Sequence, residues 1–162
     1  MVTVRIVELK RVRAAYSGPL TDKAGFQAFA NWFSAYHASL PQELFPRDFM
    51  WFNERIGARE WFYALPACAK MEDCGGFEVV DLPGGLFAVA SCVNADLDGA
   101  ADWLAVRAEL HRWARESSLF RPYENGEGRR ERYPMFHIVS PGEMYDEGIS
   151  IEDLYFPIER RV

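Results

Sequence analysis

Phe77-Glu78-Val79-Val80-Asp81-Leu82-Pro83-Gly84-Gly85-Leu86-Phe87-Ala88-Val89 is the stretch on which the fold turns. Phe77 to Val80 reads as a short strand, Leu82 to Gly85 has the composition of a turn, and Leu86 to Val93 is an apolar strand. Downstream, Asp98 offers a helix cap, and Trp103, Val106, Leu110 and Trp113 fall at i, i+3, i+7 and i+10, one face of a helix. Glu131 to Val139 and Ile151 to Ile158 supply two more strands, with a loop beginning at Ser140-Pro141-Gly142. Upstream the same order appears. Val2, Val4 and Ile6 alternate as a half-buried strand, and Val12 to Tyr16 forms a second. Thr21 and Asp22 offer caps for a helix carrying Phe26, Phe29, Ala30, Phe33 and Tyr36 on one face, and Pro41 and Pro46 end it. Phe49 to Phe52 and Trp61 to Leu65 are the next two strands. Strand–strand–helix–strand–strand therefore occurs twice, offset by roughly 75 residues, with Trp32 and Trp103 at similar places.

This repeat predicts an α+β fold: two pseudo-symmetric βαββ halves, approximately 1–70 and 76–160, within one domain spanning 1–162. Each half has an antiparallel sheet with its helix on one side, and a ligand cleft is expected between the halves, where such sites favour forming. The rival reading is a generic α+β domain with an accidental echo of pattern.

Bulk properties narrow the function. The chain is 49% hydrophobic, enough for a real core, and 15% aromatic, with 12 Phe, 7 Tyr and 5 Trp. Aromatics serve cores and organic-ligand pockets alike. Lys and Arg total 18 against 24 Asp and Glu, a net charge of −6, and the densest basic patch, Arg129, Arg130 and Arg132, is interrupted by Glu127 and Glu131. Direct nucleic-acid binding by this chain is not expected. Any DNA-binding domain is expected on a separate or missing segment.

Cys68, Cys74 and Cys92 lack metal-ligand spacing and read as free thiols in a reducing compartment. No secretion signal and no apolar run approaching about 18 residues is present, so a cytoplasmic protein without membrane contact is expected. No nucleophile elbow, zinc helix or phosphate loop occurs; neither catalytic residues, metal nor cofactor is expected.

Several stretches resemble, in the same order, the gyrase-inhibitor-like (GyrI-like) effector-binding family. Ile6-Val7-Glu8-Leu9-Lys10-Arg11-Val12 with Tyr16-Ser17-Gly18 resembles its opening hairpin. Trp51-Phe52 and Glu60-Trp61-Phe62-Tyr63-Ala64 resemble its aromatic strands. The Phe77–Val89 stretch is the most specific match, and Glu152-Asp153-Leu154-Tyr155-Phe156-Pro157-Ile158 resembles the last strand. The resemblance implies two βαββ-type halves sharing a pocket for lipophilic, often cationic, aromatic compounds. It also implies use as an effector domain behind AraC-type or MerR-type DNA-binding domains, or as a stand-alone protein. Some stand-alone relatives sequester toxins, inhibit gyrase or hydrolyse cyclopropane-containing toxins.

The family's penultimate strand carries Glu-x-Tyr shortly before a Pro. Counting back from Pro141 places Met135 at the Glu position and His137 at the Tyr position. Glu131-Arg132-Tyr133 has the right letters but sits four residues early. The first placement needs no gap and is preferred. In one continuous strand Glu131, Tyr133, Met135 and His137 share a face, with Glu131 about 13 Å from Met135 at the rim. Met at the Glu position predicts a more apolar ligand, or one held by stacking and hydrogen bonds.

The expected pocket wall is Trp51, Trp61 and Tyr63, with Phe87, Tyr155 and Tyr16 as further candidates; ordinary core packing is the competing reading for each. His37 and His111 are expected in solvent, whereas His137 faces the pocket. The expected function is non-catalytic binding of a lipophilic, aromatic small molecule for sensing or sequestration. The alternatives are a small hydrolase of strained lipophilic toxins using Glu131, Tyr133 or His137, and a gyrase-inhibitor-like protein-interaction module.

Overall fold

The computed structural model describes residues 2–41, 47–94, 100–139 and 142–162 and is α+β. In chain order it forms β1 (Arg5–Leu9), β2 (Val12–Leu20), α1 (Lys23–Ala38), β3 (Asp48–Asn53), β4 (Ala58–Ala64), β5 (Glu78–Leu82) and β6 (Gly85–Asn94). Then follow α2 (Ala100–Glu116), β7 (Phe120–Pro122), β8 (Met135–Ile138), α3 (Gly142–Asp146) and β9 (Ser150–Arg160). The helix cap expected at Asp98 and the loop start at Ser140-Pro141 lie outside the described residues, as does Pro46. Two compact units result: Arg11–Leu82, and Met1–Lys10 together with Pro83–Val162.

In the unit Arg11–Leu82 the antiparallel strand order is β3-β4-β2-β5. Asp22 caps α1, its side chain accepting from the Gly25 N–H at 2.7 Å, which satisfies one orphan donor of the first turn. The periodic aromatics then pack on one sheet face. Phe29, with no exposed surface, lies 5.5 Å from Trp61 and 4.9 Å from Phe77, ring centre to ring centre. A 3-10 turn at Met71–Cys74 ends at Gly75, whose φ is +62° and where a Cβ would run into the Trp32 ring. Both the backbone conformation and the space require glycine there.

In the second unit β1-β6-β9-β8 run side by side, and β7 also pairs with β9. Leu110 and Ala114 of α2 pack on Ala88, Ala90 and Cys92 of β6 and on Leu154, Phe156 and Ile158 of β9. Small β6 residues face large β9 partners in register, Ala88 opposite Phe156 and Ala90 opposite Leu154. This alternation lets the helix approach closely without voids.

The opening hairpin that the resemblance implies does not form, and the strands on either side of the Leu82–Gly85 turn do not pair with each other. β1 pairs with β6, and β2 pairs with β4 and β5. The links Lys10-Arg11 and Pro83-Gly84 have backbone conformations consistent with this. A two-residue hairpin needs positive φ in its loop, and none of these four residues has it. The first strand of each sequence repeat consequently joins strands of the other repeat. β8 is also shorter than the strand expected over Glu131–Val139. No helix among the described residues is long and apolar enough to cross a membrane.

Candidate functional site

Strand register sorts the aromatic residues of the unit Arg11–Leu82 onto two faces. Trp61 and Tyr63 lie on the α1 face. Phe33 is 5.0 Å from Trp61 and 5.8 Å from Tyr63, and Trp32 and Tyr36 meet Tyr63 edge-on. The Trp61 indole donates to Asp48 at 3.0 Å, and the Tyr63 hydroxyl lies 3.1 Å from His37 Nδ1. His37 is half-buried in this layer, not solvated as expected. The structure places Trp61 and Tyr63 in the core beneath the helix, where α1 covers them.

Trp51 lies on the other face because it stands opposite Glu60 in the β3–β4 register. Trp51, Trp61 and Tyr63 therefore do not make one wall. Glu60 is only 6% exposed. Its Oε2 accepts from the Trp51 indole at 2.5 Å and from the Asn53 amide at 3.1 Å. Its Oε1 accepts from the Tyr16 hydroxyl. Phe62 forms the floor, stacked with Tyr16 at 5.0 Å and tilted against Trp51 at 4.3 Å. All three hydrogen-bonding partners are neutral donors. They satisfy lone pairs of the carboxylate without themselves supplying positive charge.

Burial first, then the hydrogen bond and charge of Glu60, and finally Glu78 across the β2–β5 pair push the Tyr16 phenol well above the ordinary range. The sequence reading took the Trp61 and Tyr63 parity of β4 and so passed over Glu60, which lies on the opposite face. The available signal was an acid alternating with Phe62 next to a strand carrying Trp51.

The second unit gathers other expected residues on the sheet face away from α2. Met135 stands opposite Tyr155, and Tyr155 meets Phe87 edge-on at 6.1 Å. Phe87 and Met135 are each 1% exposed. His137 follows on the same face opposite Asp153, which accepts from Ser91 at 2.6 Å and Arg5 at 2.9 Å. Burial and then the Asp153 charge raise the Tyr155 phenol, with Arg5 opposing.

Glu131 and Tyr133 do not join this face by strand alternation, since β8 starts only at Met135. Pro134 has no N–H to give a ladder, and the Asn125 side chain takes both the N–H and the C=O of Arg132, at 2.7 and 2.9 Å. Glu131 is exposed. The buried member of this segment is Arg132, which the sequence reading passed over. Its guanidinium sits 3.6 Å from the Tyr123 ring centre and reaches toward the Leu86 and Ile158 carbonyls at 3.4 and 3.5 Å. It fills the space that a side chain at Gly85 would need. Among the described residues no group of three His, Cys, Asp or Glu side chains is placed to hold a metal ion.

The Glu60 cluster offers a desolvated negative charge bordered by three aromatic rings. Such an arrangement attracts positive charge on an apolar body, by Coulomb attraction and by cation–π contact. No family model matches the sequence, and no curated protein matches it either. Solved structures share its fold. A hydrolase from Listeria innocua superposes with a TM-score of 0.62 at 12% identity, covering 96% of this chain and 91% of that one. The EcmrR C-terminal domain gives 0.62 at 8% identity, over 99% of each chain. SAV2435 bound to tetraphenylphosphonium gives 0.51 at 12% identity, over 97% of this chain and 94% of that one. The likeness is one of fold, and it is consistent with the GyrI-like fold that the sequence resembles.

Proposed function

We propose that the chain is a small-molecule-binding module for lipophilic aromatic compounds, acting in sensing or sequestration, and that Glu60 is the centre of its site. The observation that carries this reading is the buried Glu60 carboxylate, held by Tyr16, Trp51 and Asn53 without a positive partner among them. The shared fold with SAV2435, solved with an aromatic phosphonium cation, supports the same reading. Met135 had suggested a more apolar ligand; Glu60 shifts the expectation toward cations. Within the other unit, Phe87, Met135, His137 and Tyr155 are proposed as a separate, more apolar contact surface, while Trp61 and Tyr63 support the Glu60 cluster from the core of their own unit. The net charge of −6 favours cationic ligands over nucleic acid. The reading is tested by titrating the purified chain with tetraphenylphosphonium and following tryptophan fluorescence. Saturable quenching, weakened by Glu60→Gln, is expected; absence of saturable quenching overturns the proposal.

Hydrolysis of strained lipophilic compounds is the second reading. The Glu60 carboxylate, held by the Tyr16 hydroxyl, is a group that can accept a proton, and a hydrolase shares this fold. It expects turnover of a strained electrophile that Glu60→Gln abolishes. Turnover unchanged in that variant removes Glu60 from the chemistry.

A further inference from the structure

We infer that the site selects cations without hydrogen-bond donors over ammonium and guanidinium groups, and that the Tyr16 hydroxyl sets this selectivity; the inference rests on the Glu60-centred reading above. A carboxylate offers about four lone-pair positions. Three of those on Glu60 are taken: two on Oε2, by the Trp51 indole and the Asn53 amide, and one on Oε1, by the Tyr16 hydroxyl. The charge stays, but its directional acceptor capacity is nearly spent.

A primary ammonium brings three N–H donors and a guanidinium five. At Glu60 at most one of them finds a lone pair, so the rest lose water without replacement. A quaternary ammonium or an arylphosphonium has no donors to strand. It gains the Coulomb attraction in full and places its apolar groups against Tyr16, Trp51 and Phe62. Tyr16 is the adjustable member of the set. Trp51 and Asn53 are buried, whereas Tyr16 is half-buried and bonds the oxygen on which the last lone pair remains. Its raised ionisation range keeps the hydroxyl donating rather than ionised.

The experiment compares two probes of equal charge and ring system, (naphthylmethyl)trimethylammonium and naphthylmethylammonium, by calorimetric titration of the full chain and its Tyr16→Phe variant. Phe keeps the stack on Phe62 and removes only the hydroxyl, and thermal unfolding of the variant checks that the fold is retained. The wild-type chain is expected to bind the quaternary probe about tenfold or more tightly than the primary one, and Tyr16→Phe to close most of that gap by tightening the primary ammonium. Equal affinities in the wild type, or a preference for the primary ammonium, overturn the inference without needing the variant, and leave the Glu60-centred reading standing. A quaternary preference that persists in Tyr16→Phe removes Tyr16 from the role. Binding of neither probe overturns the functional reading and the inference together.

Discussion

Glu60 carries two costs at once: it is a charge held away from water, and it forgoes whatever stability an apolar residue would add at that place. Such a residue is expected where ligand binding, rather than stability, fixes the side chain. Glu60→Gln should therefore leave the melting temperature unchanged or raise it, because the amide still accepts from Trp51 while the buried charge is gone; differential scanning calorimetry measures this. A fall of several degrees would mean that the charge holds the sheet together. Arg132 shows the opposite logic. Its charge is also desolvated, and burial lowers its ionisation range, but two aromatic rings and two carbonyls surround it and it closes the space over Gly85. Arg132→Ala should cost roughly 2 kcal/mol in chemical denaturation, with lost packing contributing as much as lost charge. Neither residue was legible from the sequence. Glu60 was hidden by a choice of strand parity, and Arg132 because the sequence alone marks it only as one member of an interrupted basic patch. Met135, Tyr155 and Phe87 stand out singly in the sequence, and alternation on β8, β9 and β6 brings them to one sheet face, a grouping that the sequence does not give.

Elements were readable where a period and a cap agree. In α1 the aromatic stripe and Asp22 mark the same helix, and Phe29 sits at its most buried point. Phe29→Ala should destabilise the chain by about 3–5 kcal/mol, read as a shift in urea midpoint, because Trp61 and Phe77 cannot both collapse into the void. A loss below about 1 kcal/mol would mean that the aromatic layer repacks freely. Strand pairing was not readable. Periodicity shows that β1 and β2 are strands but not which strands they join, because either partner buries the same alternating face. The overestimated length of β8 has a similar origin. Glu131 to Pro134 alternate acceptably in letters, yet Asn125 occupies the Arg132 backbone groups and Pro134 offers no donor.

At the scale of the whole chain, the three thiols give a readable signature. Cys68 is exposed, while Cys74 and Cys92 are buried. Burial raises both buried thiols, Cys92 to about 11 with help from the charges of Glu152 and Asp102. One thiol per chain should react rapidly with a maleimide near neutral pH, and all three after unfolding. Rapid reaction of all three in the native state would contradict the packing of α2 on β6. The same shift bears on stability. The native state favours the protonated Cys92 thiol, so its contribution is fully present below the unfolded value of 9.0 and is lost as pH rises toward about 11. The raised Tyr16 and Tyr155 phenols act in the same direction at higher pH. The melting temperature should hold up to pH 9 and fall above it. Composition shows a chain rich in aromatic residues and net acidic, but it does not indicate where a ligand would find a charge.

Calorimetric titration of tetraphenylphosphonium into the wild-type chain and into Glu60→Gln tests the Glu60 site most directly. The account predicts saturable binding to the wild type and a Kd weakened about tenfold to a hundredfold in the variant, with the fold intact. Equal affinity for both proteins, or no saturable heat with the wild type, would contradict it.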